Sequence, residues 1–173
     1  MARTKKNQVQ ELRFDEKLVL FKFMQRELGI TDMKLLARQM NLPEEEGINE
    51  STGNTLFIEY FFKQPGCRIP ETKLRVYDEN IRRYTQKIGE NRGGLTWKYF
   101  QYLSLLFTEI YLDRWFSDKE SFQQELTDFL HDEDDRTLGQ IGFQDFDLAK
   151  MNKLASMSAT GFGKTLILYV YIL

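Results

Sequence analysis

The sequence of 173 residues contains one cysteine, one histidine and three prolines. Cys67 stands alone, which excludes an intrachain disulfide and is typical of a reducing compartment. His131 has no second histidine or cysteine at ligand spacing, so we expect a solvated helix end there and not a metal site. The single cysteine argues against a disulfide-stapled domain, and the single histidine argues against a histidine-rich metalloprotein.

Long apolar segments are also missing. The two longest, LSLLFTEIYL and LILYVYIL, are too short to cross a bilayer, and Glu109 and Asp113 interrupt the first or follow it closely. The basic residues at the N-terminus are not followed by the apolar segment of a secretory signal. We therefore expect a cytoplasmic protein that has no membrane partner.

What the sequence does contain is a large apolar fraction. Hydrophobic residues make up 42% of the chain and aromatic residues 14%, which is far more than a disordered chain carries. A chain of this length can bury a substantial core. We expect one compact domain with an additional piece.

The charges are unevenly distributed although the net charge is only −2. Residues 68–98 contain eight Lys or Arg and four acids, whereas residues 99–147 contain three and twelve. Residues 148–173 contain three Lys and no acid. Two basic segments on either side of an acidic one suggest a bipolar surface; the alternative is ordinary solvated helix faces.

Helical periodicity dominates the first half. DEKLVLFKFMQREL predicts a helix capped by Asp15 and ended by Gly29, and TDMKLLARQM predicts a second, capped by Thr31 or Asp32. NTLFIEYFF is a short aromatic segment, helix or strand. A long helix is predicted from Pro70 to Ile88, with an apolar stripe at spacings of three and four: Leu74, Tyr77, Ile81, Tyr84 and Ile88.

The segment TWKYFQYLSLLFTEIYLDRWF is apolar almost all round. Thr96 is its candidate N-cap, and a helix of this kind is buried, so we expect it at the centre of a helical bundle. The acidic helix DKESFQQELTDFL follows, and HDEDDRTLGQIG is predicted as a loop. After Gly142 a connector leads to a short extended segment around Lys153–Met157. We place a domain boundary near residue 142.

The segment SATGFGKT, residues 158–165, has the features of a phosphate-binding loop. Glycines at 161 and 163 allow the backbone to wrap closely around a phosphate. Lys164 supplies a positive charge for the β- and γ-phosphates, Thr165 supplies a hydroxyl for Mg²⁺, and the following helix directs its positive dipole end to the same anion. The strict pattern requires Gly at 158, where this chain has Ser; the alternative is a glycine turn beside a surface lysine.

SATGFGKT resembles motif I of superfamily-two helicases and translocases, in which the first position is relaxed. MNKLASM before it resembles the strand that leads into motif I. Upstream, YDENIRRYTQKI and WKYFQYLSLLFTEIYLDRWF resemble the helical N-terminal region of bacterial DEAD/DEAH-box-like helicases related to type III restriction subunits. The resemblance covers roughly residues 15–173.

The resemblance implies a mainly α fold in two parts. Residues 1–142 would be a helical accessory domain, and residues 143–173 would be the first strand, P-loop and first helix of a truncated RecA-like α/β motor domain. The implied cofactors are ATP and Mg²⁺, with Thr165 reaching the metal through the nucleotide. The implied nucleotide contacts are Thr160, Gly161, Phe162, Gly163, Lys164 and Thr165.

Two features modify the implied site. Phe162 replaces the small residue usual in motif I, which affects phosphate access. Gln144 is a candidate for the adenine-reading glutamine that precedes motif I in these families, although no Pro-x-Gln context surrounds it; the alternative is a polar residue that opens a connector.

A second candidate surface is basic. Six residues could follow a DNA backbone, with Tyr84 or Trp97 available for stacking, while Glu79 and Glu90 are interspersed among them. They are Arg75, Arg82, Arg83, Lys87, Arg92 and Lys98. Solvated helix faces carry such charges too, so both interpretations stay open.

Together these features predict the N-terminal part of an ATP-dependent DNA helicase or translocase of a restriction or phage-defence system. Its partners would be ATP, DNA and the C-terminal motor domains of the parent protein. Hydrolysis needs an Asp-Glu pair later in the chain than motif I and a second RecA-like domain, and neither is found in residues 166–173, so we expect no useful ATP turnover from this segment alone. The alternative is a non-enzymatic helical module that binds protein or DNA and carries a vestigial nucleotide loop.

Overall fold

The computed structural model describes residues 14–41, 46–90, 93–137, 139, 141–142, 144–155 and 163–170. Within these ranges the chain forms seven α-helices. A 3-10 turn at Phe14–Lys17 precedes α1. The helices are α1 (Val19–Glu27), α2 (Met33–Met40), α3 (Leu56–Phe62), α4 (Glu71–Gly89), α5 (Tyr99–Ser117), α6 (Lys119–Arg136) and α7 (Lys164–Val170). The predicted mainly helical architecture is confirmed. In the ranges just given, β-structure is limited to one bridge between Ile48 and Thr55.

α5 is the central helix, as its all-round apolar character predicts. It packs against α2, α4, α6 and α7. Side chains on every side of it are buried, including Tyr102, Leu105, Leu106 and Ile110. A helix surrounded in this way has no polar face to present to water, which is why its sequence lacks one.

Aromatic rings join α1 and α6 to this centre. Phe23 of α1 packs edge-on against Phe129 of α6, with ring centroids 5.6 Å apart, and Phe122 lies 6.0 Å away. Tyr111 of α5 meets Phe122 at 5.2 Å. These edge-to-face contacts orient the helices as well as burying area.

The predicted cap of α2 is confirmed and that of α5 is wrong, whereas α3 has a cap that was not predicted. The Asp32 carboxylate accepts from the backbone N–H groups of Lys34 and Leu35 at the start of α2. The segment NTLFIEYFF is a helix, because Thr55 caps it by accepting from Ile58 N at 3.2 Å. Thr96 was expected to cap α5, but that helix begins at Tyr99, with Lys98 at the cap position.

Two helix boundaries differ from the prediction. α1 begins at Val19 and not after Asp15, because Leu18 has ψ 77 and separates it from the 3-10 turn. α6 continues to Arg136 through the segment expected to be a loop. Glu133 explains the extension: it is 8% exposed and pairs with Lys22 of α1 at 2.9 Å, which holds this last turn in the bundle.

Gly29 ends α1 as predicted, with φ 69. A Cβ atom there would lie 2.7 Å from both Cys67 N and Pro65 O. Glycine is therefore needed at this position for two reasons: the backbone is left-handed, and the 65–67 loop passes too close to leave room for a Cβ atom.

Some of the described residues beyond 142 contact the bundle. Met151 is buried, its carbonyl accepts from the Tyr111 hydroxyl, and Gln123 donates to Phe146 O at 2.6 Å. Residues 153–155 have no regular structure, and the rest of the expected extended segment, 156–157, lies outside the described residues. The boundary near 142 and the RecA-like strand stay predictions. None of the described helices has the length and apolar character needed to cross a membrane.

Asp78 of α4 is a fully buried carboxylate in the interior of the bundle, with 0% exposure. It accepts from Thr55 N at 3.0 Å, from the Thr55 hydroxyl and from the Tyr102 hydroxyl. Arg82 Nε lies 3.3 Å from it, oriented as an ion pair and not as a hydrogen bond. Three helices, α3, α4 and α5, therefore meet at a single side chain.

We predict that Asp78→Ala lowers the free energy of unfolding by about 3 kcal/mol, because it leaves the buried Thr55 and Tyr102 donors without an acceptor. The exposed neighbour Glu79 provides the matched control, for which Glu79→Ala should change stability by less than about 0.5 kcal/mol. Urea denaturation followed by circular dichroism measures both. Equal effects of the two substitutions would contradict the role given to Asp78.

Candidate functional site

The predicted phosphate loop is described at its C-terminal end. Gly163 has φ 76, and α7 begins at the next residue, Lys164. Thr165 is exposed. Thr160, Gly161, Phe162 and the Lys164 side chain lie outside the described part of the chain. The Gly-Lys-Thr sequence therefore stands at a turn from left-handed backbone into a helix.

This turn has the backbone arrangement that anion-binding loops use. A left-handed residue followed by right-handed ones directs successive N–H groups towards one side. The first N–H groups of any helix have no acceptor within it. Leu166 N is bonded back to Gly163 O at 2.9 Å. The geometry at Gly163–Thr165 is compatible with a phosphate ligand.

The turn rests on the bundle. α7 packs against α4 and α5, with Ile167 and Val170 buried and Leu166 half-buried against the core. Leu168 projects from the other side and is 59% exposed. The helix after the glycine turn is thus held by apolar contacts with the helical domain.

Gln101, in the first turn of α5, lies directly over the glycine turn. A Cβ atom added at Gly163 would lie 2.5 Å from Gln101 Nε2. The sequence gave no reason to select Gln101, since it lies 62 residues before Gly163 and belongs to no motif. Gln144, the predicted adenine contact, is exposed on an irregular segment, and its role stays a prediction.

The six predicted DNA contacts divide into two groups. Arg75, Arg82 and Lys98 form ion pairs with acids of the same chain, namely Glu71, Asp78 and Glu46. Arg75 also lies over the Phe62 ring, 4.6 Å from its centroid. Such pairing lowers the positive potential that a phosphate backbone would meet.

The remaining basic residues of α4 are more accessible. Arg83 is exposed, donates to Asn80 Oδ1 at 3.1 Å and lies over the ring of Tyr84, one of the two stacking candidates. Lys87 is exposed one turn further on. Arg92 lies outside the described residues. Trp97, the other stacking candidate, is 5% exposed and donates to Thr85, so it cannot stack on a base without leaving the core.

A charged cluster that sequence inspection missed lies where α1, α5 and α6 meet. Glu27 is 3% exposed and contacts Arg114 Nη2 at 2.5 Å, with Arg26 at 3.2 Å and Arg68 at 3.9 Å. Arg114 also reaches Glu125 of α6. Helical spacing places these residues on their own helices but gives no information about which helices meet.

A cleft of about 240 Å³ opens beside this cluster, between the start of α4, the end of α5 and the start of α6. On its wall Asp113 accepts from Lys73 at 2.7 Å and from the Tyr77 hydroxyl at 2.6 Å. Burial opposes ionisation of Asp113, but these two hydrogen bonds outweigh it and lower the pKa of the carboxyl. The cationic side chains that line the cleft are paired with acids of the same chain. The cleft therefore offers little unpaired positive charge to a ligand.

The other residues considered from the sequence have structural partners. The exposed side chains of His131 and Asp145 form a hydrogen bond of 2.6 Å, and this bond raises the pKa of the imidazole. Burial raises the pKa of the Cys67 thiol, which disfavours the reactive thiolate. No group of three potential metal ligands occurs within the residues described above.

Comparison with known proteins gives no match: no family model, no curated protein and no solved structure matches this chain. The function is therefore argued from the residues and their geometry.

We predict that the accessible pair on α4 decides whether the basic surface binds DNA. Arg83→Glu together with Lys87→Glu should weaken duplex binding and reduce the salt slope by about 2, since each phosphate contact contributes about one unit. Fluorescence anisotropy over a series of salt concentrations measures this, with Lys150→Glu as the control. Arg82 is unsuitable because it faces the buried Asp78. Absence of binding by the wild type at low salt removes the DNA hypothesis.

A second prediction concerns Glu109, which accepts from Asn80 Nδ2 at 2.8 Å. Burial raises its pKa above the ordinary 4.5, and the Asn80 hydrogen bond only partly offsets this. The pKa of Glu109 is higher in the folded state than in the unfolded state, so protonation of Glu109 contributes to the free energy of unfolding. This contribution is complete below pH about 4.5 and is lost as pH rises through the folded pKa.

Glu109→Gln keeps the oxygen that Asn80 bonds and removes the charge, so the variant should gain stability relative to the wild type as pH rises from about 4 to 7. Denaturation curves at several pH values measure the difference, with Glu79→Gln as an exposed control. A stability difference that does not change with pH would show that Glu109 ionises as easily in the bundle as in the unfolded chain.

Proposed function

We propose that residues 158–165 are the phosphate-binding loop of an ATP-dependent motor of the superfamily-two type, and that α1–α6 form the helical domain that precedes it. The observation that carries this proposal is the left-handed Gly163 immediately before a helix that begins at Lys164. A left-handed residue before a helix directs successive N–H groups to one side, which supports anion binding at this end of the segment.

The chemistry assigned to the loop is binding and orientation of a triphosphate. N–H groups of the turn would bind the phosphate oxygens, the Lys164 ammonium would neutralise charge on the β- and γ-phosphates, and the Thr165 hydroxyl would be a Mg²⁺ ligand. The exposure of Thr165 is compatible with that contact. Mg²⁺ neutralises further charge when it is bound with the nucleotide.

ATP hydrolysis needs more than the phosphate-binding loop. In motors of this type an Asp-Glu pair later in the chain than the loop would hold the metal and polarise water, and arginine fingers would reach the γ-phosphate from a second domain. Residues 166–173 contain no such pair. The activity proposed for these residues is therefore nucleotide binding.

A second candidate is a helical interaction module without nucleotide. It is favoured by Phe116, which is 80% exposed at the end of α5, and by Val76, which is 54% exposed on α4. Large apolar side chains on a surface are common at protein interfaces. Dependence of nucleotide binding on Lys164 separates the two candidates.

We predict that the chain binds a fluorescent ATP analogue with Mg²⁺ and that Lys164→Ala weakens this binding roughly ten- to hundredfold, as expected for loss of a charge-assisted contact. Lys153→Ala is the matched control, because Lys153 is an exposed lysine of the same region. Equal affinity in the wild type and Lys164→Ala, or no binding by either, contradicts the proposal.

A further inference from the structure

Residues 144–151, which we call the strap, follow α6 in the chain and are attached to the bundle by side chains of α5 and α6. Gln123 of α6 donates to Phe146 O at 2.6 Å, and the buried Met151 accepts from the hydroxyl of Tyr111 on α5. Neither donor titrates near neutral pH, because glutamine has no ionisable group and burial raises the pKa of the tyrosine hydroxyl. These two contacts therefore hold the strap in the same way on both sides of neutrality.

A third contact, between His131 of α6 and Asp145 of the strap, does titrate in this range. The two side chains form a hydrogen bond of 2.6 Å and are 60% and 66% exposed. His131 is the only histidine in the sequence of 173 residues. Histidine is the side chain whose ordinary pKa lies closest to neutrality. The attachment of the strap thus contains one contact whose charge changes near neutral pH.

The charges around His131 favour the protonated imidazole. The hydrogen bond to Asp145 has the largest effect, and the negative charges of Asp145, and of Asp128 and Asp135 on α6, add to it, so that the pKa of His131 lies above its ordinary 6.5. The pair therefore contributes fully to the attachment of the strap below pH about 6.5, and this contribution is lost as pH rises through the folded pKa.

We propose that His131 and Asp145 form a pH-dependent clasp, which holds the start of the strap on α6 while the imidazole is protonated and loosens when the imidazole becomes neutral. A charge-assisted hydrogen bond is about twice as strong as a neutral one. The neutral imidazole has one N–H, on either ring nitrogen, and water competes for both exposed side chains. The clasp is independent of the proposed function, because it requires no nucleotide.

The turn inside the strap provides the measurement. Ala149 N donates to Asp147 Oδ1 at 2.9 Å and Lys150 N donates to Asp147 O at 2.8 Å, so both amides are protected from hydrogen exchange while this turn is kept. We expect their protection factors, in which the intrinsic effect of pH on exchange is removed, to fall roughly threefold from about pH 6 to about pH 8.5, as for loss of one exposed ion pair. The α4 amides from Leu74 to Ile81 should keep theirs.

Asp145→Asn tests the clasp on the full chain. The amide oxygen still accepts from His131 but the charge is removed, so the pKa of His131 should fall and the pH dependence of the strap amides should disappear. His131→Gln should remove it too. Asp128→Asn is the matched control, because Asp128 acts on His131 from α6 and accepts from Gln124 of the same helix. NMR titration of the single histidine ring gives its pKa in each protein.

A strap equally protected at both pH values in the wild type overturns the proposal. Persistence of the pH dependence in Asp145→Asn or His131→Gln also overturns it, since another group would then be responsible. Loss of the pH dependence in these two variants, with its retention in Asp128→Asn, is the result expected of the clasp. The same loss in Asp128→Asn would assign the effect to the general negative charge of α6 and not to the contact with Asp145.

Discussion

The meeting of α3, α4 and α5 depends on the hydrogen bonds of a buried carboxylate. Asp78 has no access to water, and the hydroxyls of Thr55 and Tyr102 and one backbone N–H supply the hydrogen bonds that water would otherwise give. Burying a carboxylate is costly unless it is bonded in this way. Since Thr55 caps α3 and Tyr102 lies on α5, the need of this carboxylate for donors fixes where α3, α4 and α5 meet. Burial and the neighbouring Asp78 raise the pKa of the Tyr102 hydroxyl well above its ordinary value, which favours the protonated form that donates to Asp78.

Sequence patterns predicted those helices whose apolar periodicity or overall apolar character is contained in the helical segment itself. The stripe of Leu74, Tyr77 and Ile81 gave α4 almost to its ends, and the all-round apolar character of α5 predicted its central place. The errors are at boundaries that other parts of the chain decide. α6 continues to Arg136 because Glu133 meets Lys22 of α1, over 100 residues earlier in the chain, and no local pattern contains that contact.

The candidate site was only partly predictable for the same reason. SATGFGKT carries its chemistry in consecutive residues, so Gly163, Lys164 and Thr165 could be selected from the sequence. Gln101 could not, because its relation to Gly163 exists only after α7 packs against α5. The basic residues show the reverse case: in sequence they form a positive segment, but in space Arg75, Arg82 and Lys98 face acids from other turns or loops. Local charge counts do not reveal that neutralisation.

The central claim is that the turn at Gly163 binds a chain of phosphates. Calorimetric titration of the chain with ATP, ADP and AMP in the presence of Mg²⁺ tests it most directly. We expect ATP and ADP to bind and AMP not to bind, because the turn and Lys164 are proposed to contact the phosphates beyond the α-phosphate. Binding of AMP as tight as that of ATP, or no heat from any of the three, would contradict it.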